Sequence, residues 1–261
     1  MRSLSIAATG MLAQQTNVEV ISNNLANLST TGFKRQRAEF ADLVYQDLRR
    51  KGVQSSETGT ILPSGMQIGL GVRSASVYRI MEQGNLTKTN NTFDLAVQGR
   101  GYFQVEMPSG ETAYTRAGAF LTNENGQVVT QEGYTVQPGI TVPNNAQNVT
   151  VNASGEVLVS IPGQTDATNV GQLQLATFFN DAGLEAVGDN LFLQTAASGD
   201  PNTGNPDADN FGSVLQGYLE VSNVNAVQEI TTLITAQRAY ELNSKVITTS
   251  DELLQVTSNM K

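Results

Sequence analysis

The sequence predicts an α+β fold with its helices at the two ends and an all-β body between them. Three observations carry this: a heptad stripe in the first 28 residues, a second stripe in a terminal run free of Pro and Gly, and hairpin turn signals in the middle. At 261 residues with 24 glycines and only 15% charged residues, the chain is long enough for a substantial core, and its make-up suits a turn-rich β protein.

In the first segment Leu4, Met11, Val18 and Leu25 recur every seven residues, and Ala7, Gln14, Ile21 and Leu28 stand three later. That a/d pattern predicts a helix from Arg2 to about Leu28 that packs along another helix, stopped by the turn-forming Ser29-Thr30-Thr31-Gly32. The last segment repeats the pattern from Val221 onward. Ala226, Leu233, Tyr240, Ile247 and Leu254 form one stripe and Ala239, Val246, Leu253 and Met260 its neighbour, with Ser222 or Asn223 expected as the cap. One straight helix of that length would run ~60 Å, longer than a compact body of this size covers. The stripes either close on each other and the body as a hairpin, or leave apolar surface for neighbouring copies; length favours the second.

The body is expected over 71–215 as antiparallel strands. Tyr102-Phe103-Gln104-Val105 leads into the turn Pro108-Ser109-Gly110, while Asn125-Gly126 and Ser154-Gly155 each separate two β-rich runs. Leu173 to Phe178 alternates as a half-buried strand. Between first helix and body, 34–70 reads as an extended linker: Lys34, Arg35, Arg37, Arg49, Arg50 and Lys51 make a basic collar, followed by Gly-, Ser- and Thr-rich sequence. The collar is either a solvated face or a partner for acidic surface on a neighbouring copy. The divisions are then 1–33, 34–70, 71–215 and 216–261.

Composition removes many activities. The chain has no histidine and no cysteine, which eliminates Ser-His and Cys-His nucleophiles, histidine and thiolate metal sites, and disulfides. A net charge of -9 opposes nucleic acid and anionic lipid as partners. The N-terminus lacks the apolar run of a cleavable secretory signal, so any export is expected to use another route. Asp200, Asp207 and Asp209 gather in a turn-rich loop, but Phe211 falls where a calcium loop needs oxygen, so a plain surface loop is expected. Asp94 and Glu106 are the pair a glycan-cleaving enzyme would need, with nothing to set them across a cleft. No catalytic residue, cofactor, metal or small-molecule substrate is expected.

The runs SNNLANLSTTGFKRQRAEF, GYLEVSNVN and QRAYELNSK resemble the rod and hook proteins of the bacterial flagellum. YQDLRRKGVQSSETGTILPSGMQIGLGV, QGNLTKTNNTFDLAVQGRGYFQV and AYTRAGAFLTNENGQVVT narrow the resemblance to the rod side of that family, over essentially the whole chain. The resemblance implies terminal helices that pair as a coiled coil, order on incorporation and form the wall of a hollow tube around an export channel. It makes Leu4, Met11, Val18, Ile21, Leu25, Leu233, Tyr240, Ile247 and Leu254 assembly residues. It also makes 45–63 an insertion that stiffens a straight rod, with Tyr45, Arg49, Arg50, Ser55, Ser56 and Pro63 in it. Phe40 and Val44 resemble a short export-gate motif, or else pack as an i, i+4 pair on a helix. Implied partners are other copies, proximal rod proteins, the hook protein, the rod cap, the P-ring and L-ring proteins and the flagellar type III exporter. The implied place is the basal body, from periplasm to outer membrane. Hook and proximal rod proteins are the nearest alternatives; the hook usually carries larger outer domains and lacks the insertion.

Overall fold

The computed structural model describes residues 2–49, 65–163 and 166–259. The predicted class holds: α1 (Arg2–Ala26) and α2 (Ala226–Asn259) bracket a succession of short strands. The chain forms two compact units. One gathers Met1–Leu25, Gln36–Tyr78 and Asn225–Lys261, the other Ala26–Arg35 and Arg79–Val224.

In the first unit the expected linker is not an unpaired connector. β1 (Gln36–Asp42) pairs with β4 (Val72–Arg79), and β2 (Tyr45–Arg49) pairs antiparallel with β3 (Met66–Gly69) through Tyr45↔Gly69, Gln46↔Ile68 and Asp47↔Gln67. Gly/Ser composition described the middle of the segment and hid the alternating flanks, whose backbone groups find partners in these ladders. α2 is capped later than the Ser222 or Asn223 expected. Asn225 caps it, its Oδ1 accepting from Val227 N at 3.1 Å and Gln228 N at 3.2 Å. Its 34 residues span ~51 Å at the usual rise per residue.

The second unit is antiparallel throughout its recorded ladders. Its strands begin with β5 (Leu86–Lys88), β6 (Leu95–Gln98), β7 (Tyr102–Glu106), β8 (Thr112–Thr115), β9 (Leu121–Thr122), β10 (Val128–Val129) and β11 (Thr135–Val136). They continue with β12 (Asn148–Val151), β13 (Glu156–Ser160), β14 (Thr168–Gln172), β15 (Leu175–Thr177), β16 (Glu185–Gly188), β17 (Leu191–Leu193), β18 (Asn202–Gly204), β19 (Ser213–Gln216) and β20 (Tyr218–Glu220). The main sheet runs β16-β17-β8-β7-β11-β10-β9, and β15 joins it on β7. β7 is thus the central strand: β8 covers one edge, while β15 takes the start of the other edge and β11 its end. The turns Pro108-Ser109-Gly110, Asn125-Gly126 and Ser154-Gly155 all close the expected hairpins.

Alternation along β7 feeds two cores. Phe103 packs edge-on to Phe120 at 5.1 Å within a cluster holding Val97, Val136, Val159, Leu173, Leu175 and Val214. Tyr102 faces the other way, into Tyr114, Phe178, Phe192 and Leu184. Among the described residues no helix is long and apolar enough to cross a membrane.

Candidate functional site

The helices meet through small and polar residues. A Cβ added at Gly10 would lie 2.9 Å from Asn243 Nδ2, so glycine there lets α2 approach α1 closely. Nearer the other end of α1, Asn24 is buried and its Nδ2 donates to Glu229 Oε2 at 3.3 Å. The same side chain pairs with both backbone groups of Gln36: Nδ2 donates to Gln36 O at 2.8 Å and Oδ1 accepts from Gln36 N at 2.7 Å. β1 is thereby tied to α1, and Thr9 Oγ1 accepts from Val72 N at 3.3 Å beside β4.

The expected assembly residues distribute unevenly. Ile21 is buried, and Leu4, Met11, Val18, Leu25, Leu233, Ile247 and Leu254 are half-buried, while Tyr240 is exposed. On α1 the deepest positions are Ala7, Ala13, Val20, Ile21 and Asn24, so the buried face is rotated away from the Leu4-Met11-Val18 line. Of the second α2 stripe, Ala239 is half-buried, Val246 and Leu253 are exposed, and Met260 lies outside the described residues. Glu229 and Ala236 are buried instead, with Asn243 and Ser250 half-buried on the same line. A hydrophobic search passes over these positions because the contacts they make are polar or between small groups. Val227, Ile230, Ile234, Leu242, Val246, Leu253 and Val256 of α2 remain uncovered.

Of the insertion residues, Tyr45 is exposed on β2 and Arg49 occupies the last position of that strand. Arg50, Ser55, Ser56 and Pro63 lie outside the described residues. Phe40 is half-buried on β1 and Val44 is exposed just beyond it, so the alternative of an i, i+4 pair on a helix is ruled out. Asp94 is buried and accepts from Asn91 Nδ2 at 2.9 Å, while Glu106 is exposed at the end of β7. Among the described residues no group of three or more Asp or Glu side chains gathers as a metal site.

The second unit holds a buried charge cluster that sequence reading missed. Lys34, counted above in a solvated collar, is 1% exposed. Its Nζ donates to Glu220 Oε1 at 2.5 Å and to Glu82 O at 2.8 Å. Glu220 Oε1 also accepts from Gly84 N at 2.9 Å, and its Oε2 takes Arg116 Nη1 at 3.3 Å. Arg116 continues to Gly99 O at 2.6 Å and its guanidinium lies 5.4 Å from the Tyr102 ring centre. Burial pushes the Lys34 ammonium below its ordinary pKa, and Glu220 pulls it back up. The runs STTGFK, MEQGN, QGRGYF, YTRAG and GYLEVSN therefore meet at one point. Their charged residues are structural ties between distant segments.

Such a molecule, a β body plus helices with uncovered apolar side chains, is suited to a structural subunit. Family models agree along the chain: the flagella basal body rod protein model matches 4–34, the flagellar hook protein FlgE/F/G D1 domain 96–159, and the flagellar basal body rod FlgEFG protein C-terminal model 215–260. The chain is 60% identical to the flagellar basal-body rod protein FlgG of Caulobacter vibrioides and 55% identical to that of Agrobacterium fabrum, each over the full length of both. It is 39% identical to the FlgG of Bacillus subtilis, over all of this chain and 99% of that protein. The chain belongs to the flagellar basal-body rod protein family and is a structural subunit of the flagellar rod.

Proposed function

We propose that this subunit forms the distal rod by polymerising through α1 and α2 into a rigid hollow tube, with the two helices paired as a coiled coil in the tube wall. The observation that carries this reading is α2: 34 residues of which only Glu229 and Ala236 are buried, with eight large hydrophobic side chains, Tyr240 among them, left exposed. Apolar surface on that scale favours burial against further copies. A head-to-tail contact that does not close yields a filament, and a stiff tube transmits torque to the hook while leaving a channel for export.

In this reading 1–33 and 216–261 form the wall, 71–215 the outer domain, and 45–63 the stiffening insertion. The β2–β3 ladder supports the last assignment, since it gives the insertion a fixed root. Proximal rod proteins, the hook protein, the rod cap and the P- and L-ring proteins are the proposed neighbours, in a basal body spanning periplasm to outer membrane. The type III exporter is the proposed route, and Phe40 with Val44 its proposed recognition element.

Electron microscopy of the concentrated protein tests the reading: straight filaments with ordered termini are expected, and persistent monomers would refute it. Deleting 46–62 should leave filaments that assemble but curve. Straight, stiff filaments from that deletion would remove the insertion's proposed role.

A further inference from the structure

Phe179 is 99% exposed, the most uncovered large apolar side chain among the described residues. It is not on a loose loop. Its neighbour Phe178 is buried, edge-on to Tyr114 at 4.8 Å and Tyr102 at 6.0 Å. On its other side Asn180 Nδ2 donates to Ala197 O at 3.0 Å, and Arg100 Nη2 donates to Phe178 O at 3.0 Å. The ring is held out by a braced turn, and the exposed Arg100 guanidinium that ties this turn also meets Asp181 Oδ2 at 3.5 Å, with donors left over toward solvent.

At the other end of β7 lies a shallow cleft of about 340 Å³. Met107, Pro108 and Tyr134 supply its apolar surface, and nothing stands within 4 Å of a Cβ built on Gly110 or Gly133. Exposed Glu106 and Glu132 flank it, whereas the Phe179 end carries the Arg100–Asp181 pair. The register fixes the opposition: β15 pairs at Tyr102 and Phe103 and runs out past the start of β7, whereas the cleft begins at Glu106. β7 alone separates the two by ~14 Å.

We infer that Phe179 of one copy seats in the Met107-Pro108-Tyr134 cleft of the next, with Arg100 facing Glu106, so that β bodies stack along the direction of β7. The inference rests on the self-assembly proposed above and names a contact for it outside the helices. An apolar anchor and an apolar cleft at opposite ends of one unit, with Arg100 still exposed enough to take Glu106 as a second carboxylate beside Asp181, make a head-to-tail joint that repeats without closing. Both sides are pre-organised, which limits the ordering cost of docking.

The absence of cysteine makes a clean test. Full-length chains carrying Phe179→Cys and Pro108→Cys are polymerised and treated with a short thiol-to-thiol crosslinker. Crosslinked ladders from the double variant, with none from either single variant, are expected. Filaments that form but give no ladder would overturn the inference and leave the polymerisation reading standing. Crosslinking by Phe179→Cys alone would overturn it too, because like ends would then meet. No filaments from any version, the natural chain included, would remove both. Phe179→Ala should raise the critical concentration about tenfold with unchanged melting of the monomer; an unchanged critical concentration counts against the joint.

Discussion

The two compact units solve the burial problem in opposite ways. In the β unit, residues up to 186 apart in sequence converge on two aromatic and aliphatic clusters and on a charge cluster in which Glu220 meets two cations. In the helical unit α2 buries two side chains, one a glutamate, and leaves leucines and isoleucines in water. The β unit is complete as a single chain. In the polymer proposed above the helical unit gains contacts that a lone chain cannot make, which would make its order depend on concentration as well as on sequence.

The largest expected effect falls on the β unit. Glu220→Gln leaves Lys34 and Arg116 buried without their counter-charge, and chemical denaturation should show a loss of ~3–5 kcal/mol. A loss under 1 kcal/mol would mean that water reaches the cluster, and the contrast between the units would weaken. A second effect appears at high pH. Burial raises the Tyr102 phenol above its ordinary value, and it does the same to Tyr114. With native pKa values above those of the unfolded chain, the tyrosine contribution is whole below about pH 10 and is lost as pH rises through the native values. Lys34 works in the opposite sense: its native pKa is lowered, so its part of the stability rises as pH climbs toward its unfolded value. Melting followed from pH 8 to 12 should therefore show a net alkaline loss that Tyr102→Phe reduces.

Smaller effects belong to the helical unit. Asn225→Ala removes the α2 cap and should cost ~1 kcal/mol, visible as lost helicity in the monomer while the β unit melts unchanged. Leu242→Ser together with Leu253→Ser should change monomer stability by less than ~0.5 kcal/mol, since both side chains are already in water. Light scattering should nevertheless show polymerisation abolished or strongly delayed. A double variant that polymerises normally would move the assembly surface elsewhere on the helix.

The parts legible in the sequence were those with local causes. The Asn125-Gly126 and Ser154-Gly155 hairpins follow from turn chemistry within a few residues, and the two helices follow from periodicity and the absence of Pro and Gly. Helix faces were read less well. Periodicity finds the Leu233-Ile247-Leu254 line, but Gly10, Asn24, Asn243 and Glu229 make the closest helix contacts and carry no hydrophobic signal. The pairing of strands in and around 34–70 was not legible for a related reason: β1 and β2 pair with β4 and β3 across intervening sequence, and composition does not match such partners.

The sequence by itself determined the helical ends, the antiparallel hairpins and the exclusion of histidine and cysteine chemistry, since each follows from which residues are present or from neighbours a turn away. Only the tertiary structure decided which charges are buried and which apolar groups are not. Lys34 and Glu220 stand 186 residues apart and look like ordinary surface charges until the fold removes water from both. Phe179 looks like part of a core strand until the turn after Phe178 carries it out. Burial is a property of what surrounds a side chain, and those surroundings are assembled from segments that composition and spacing do not connect.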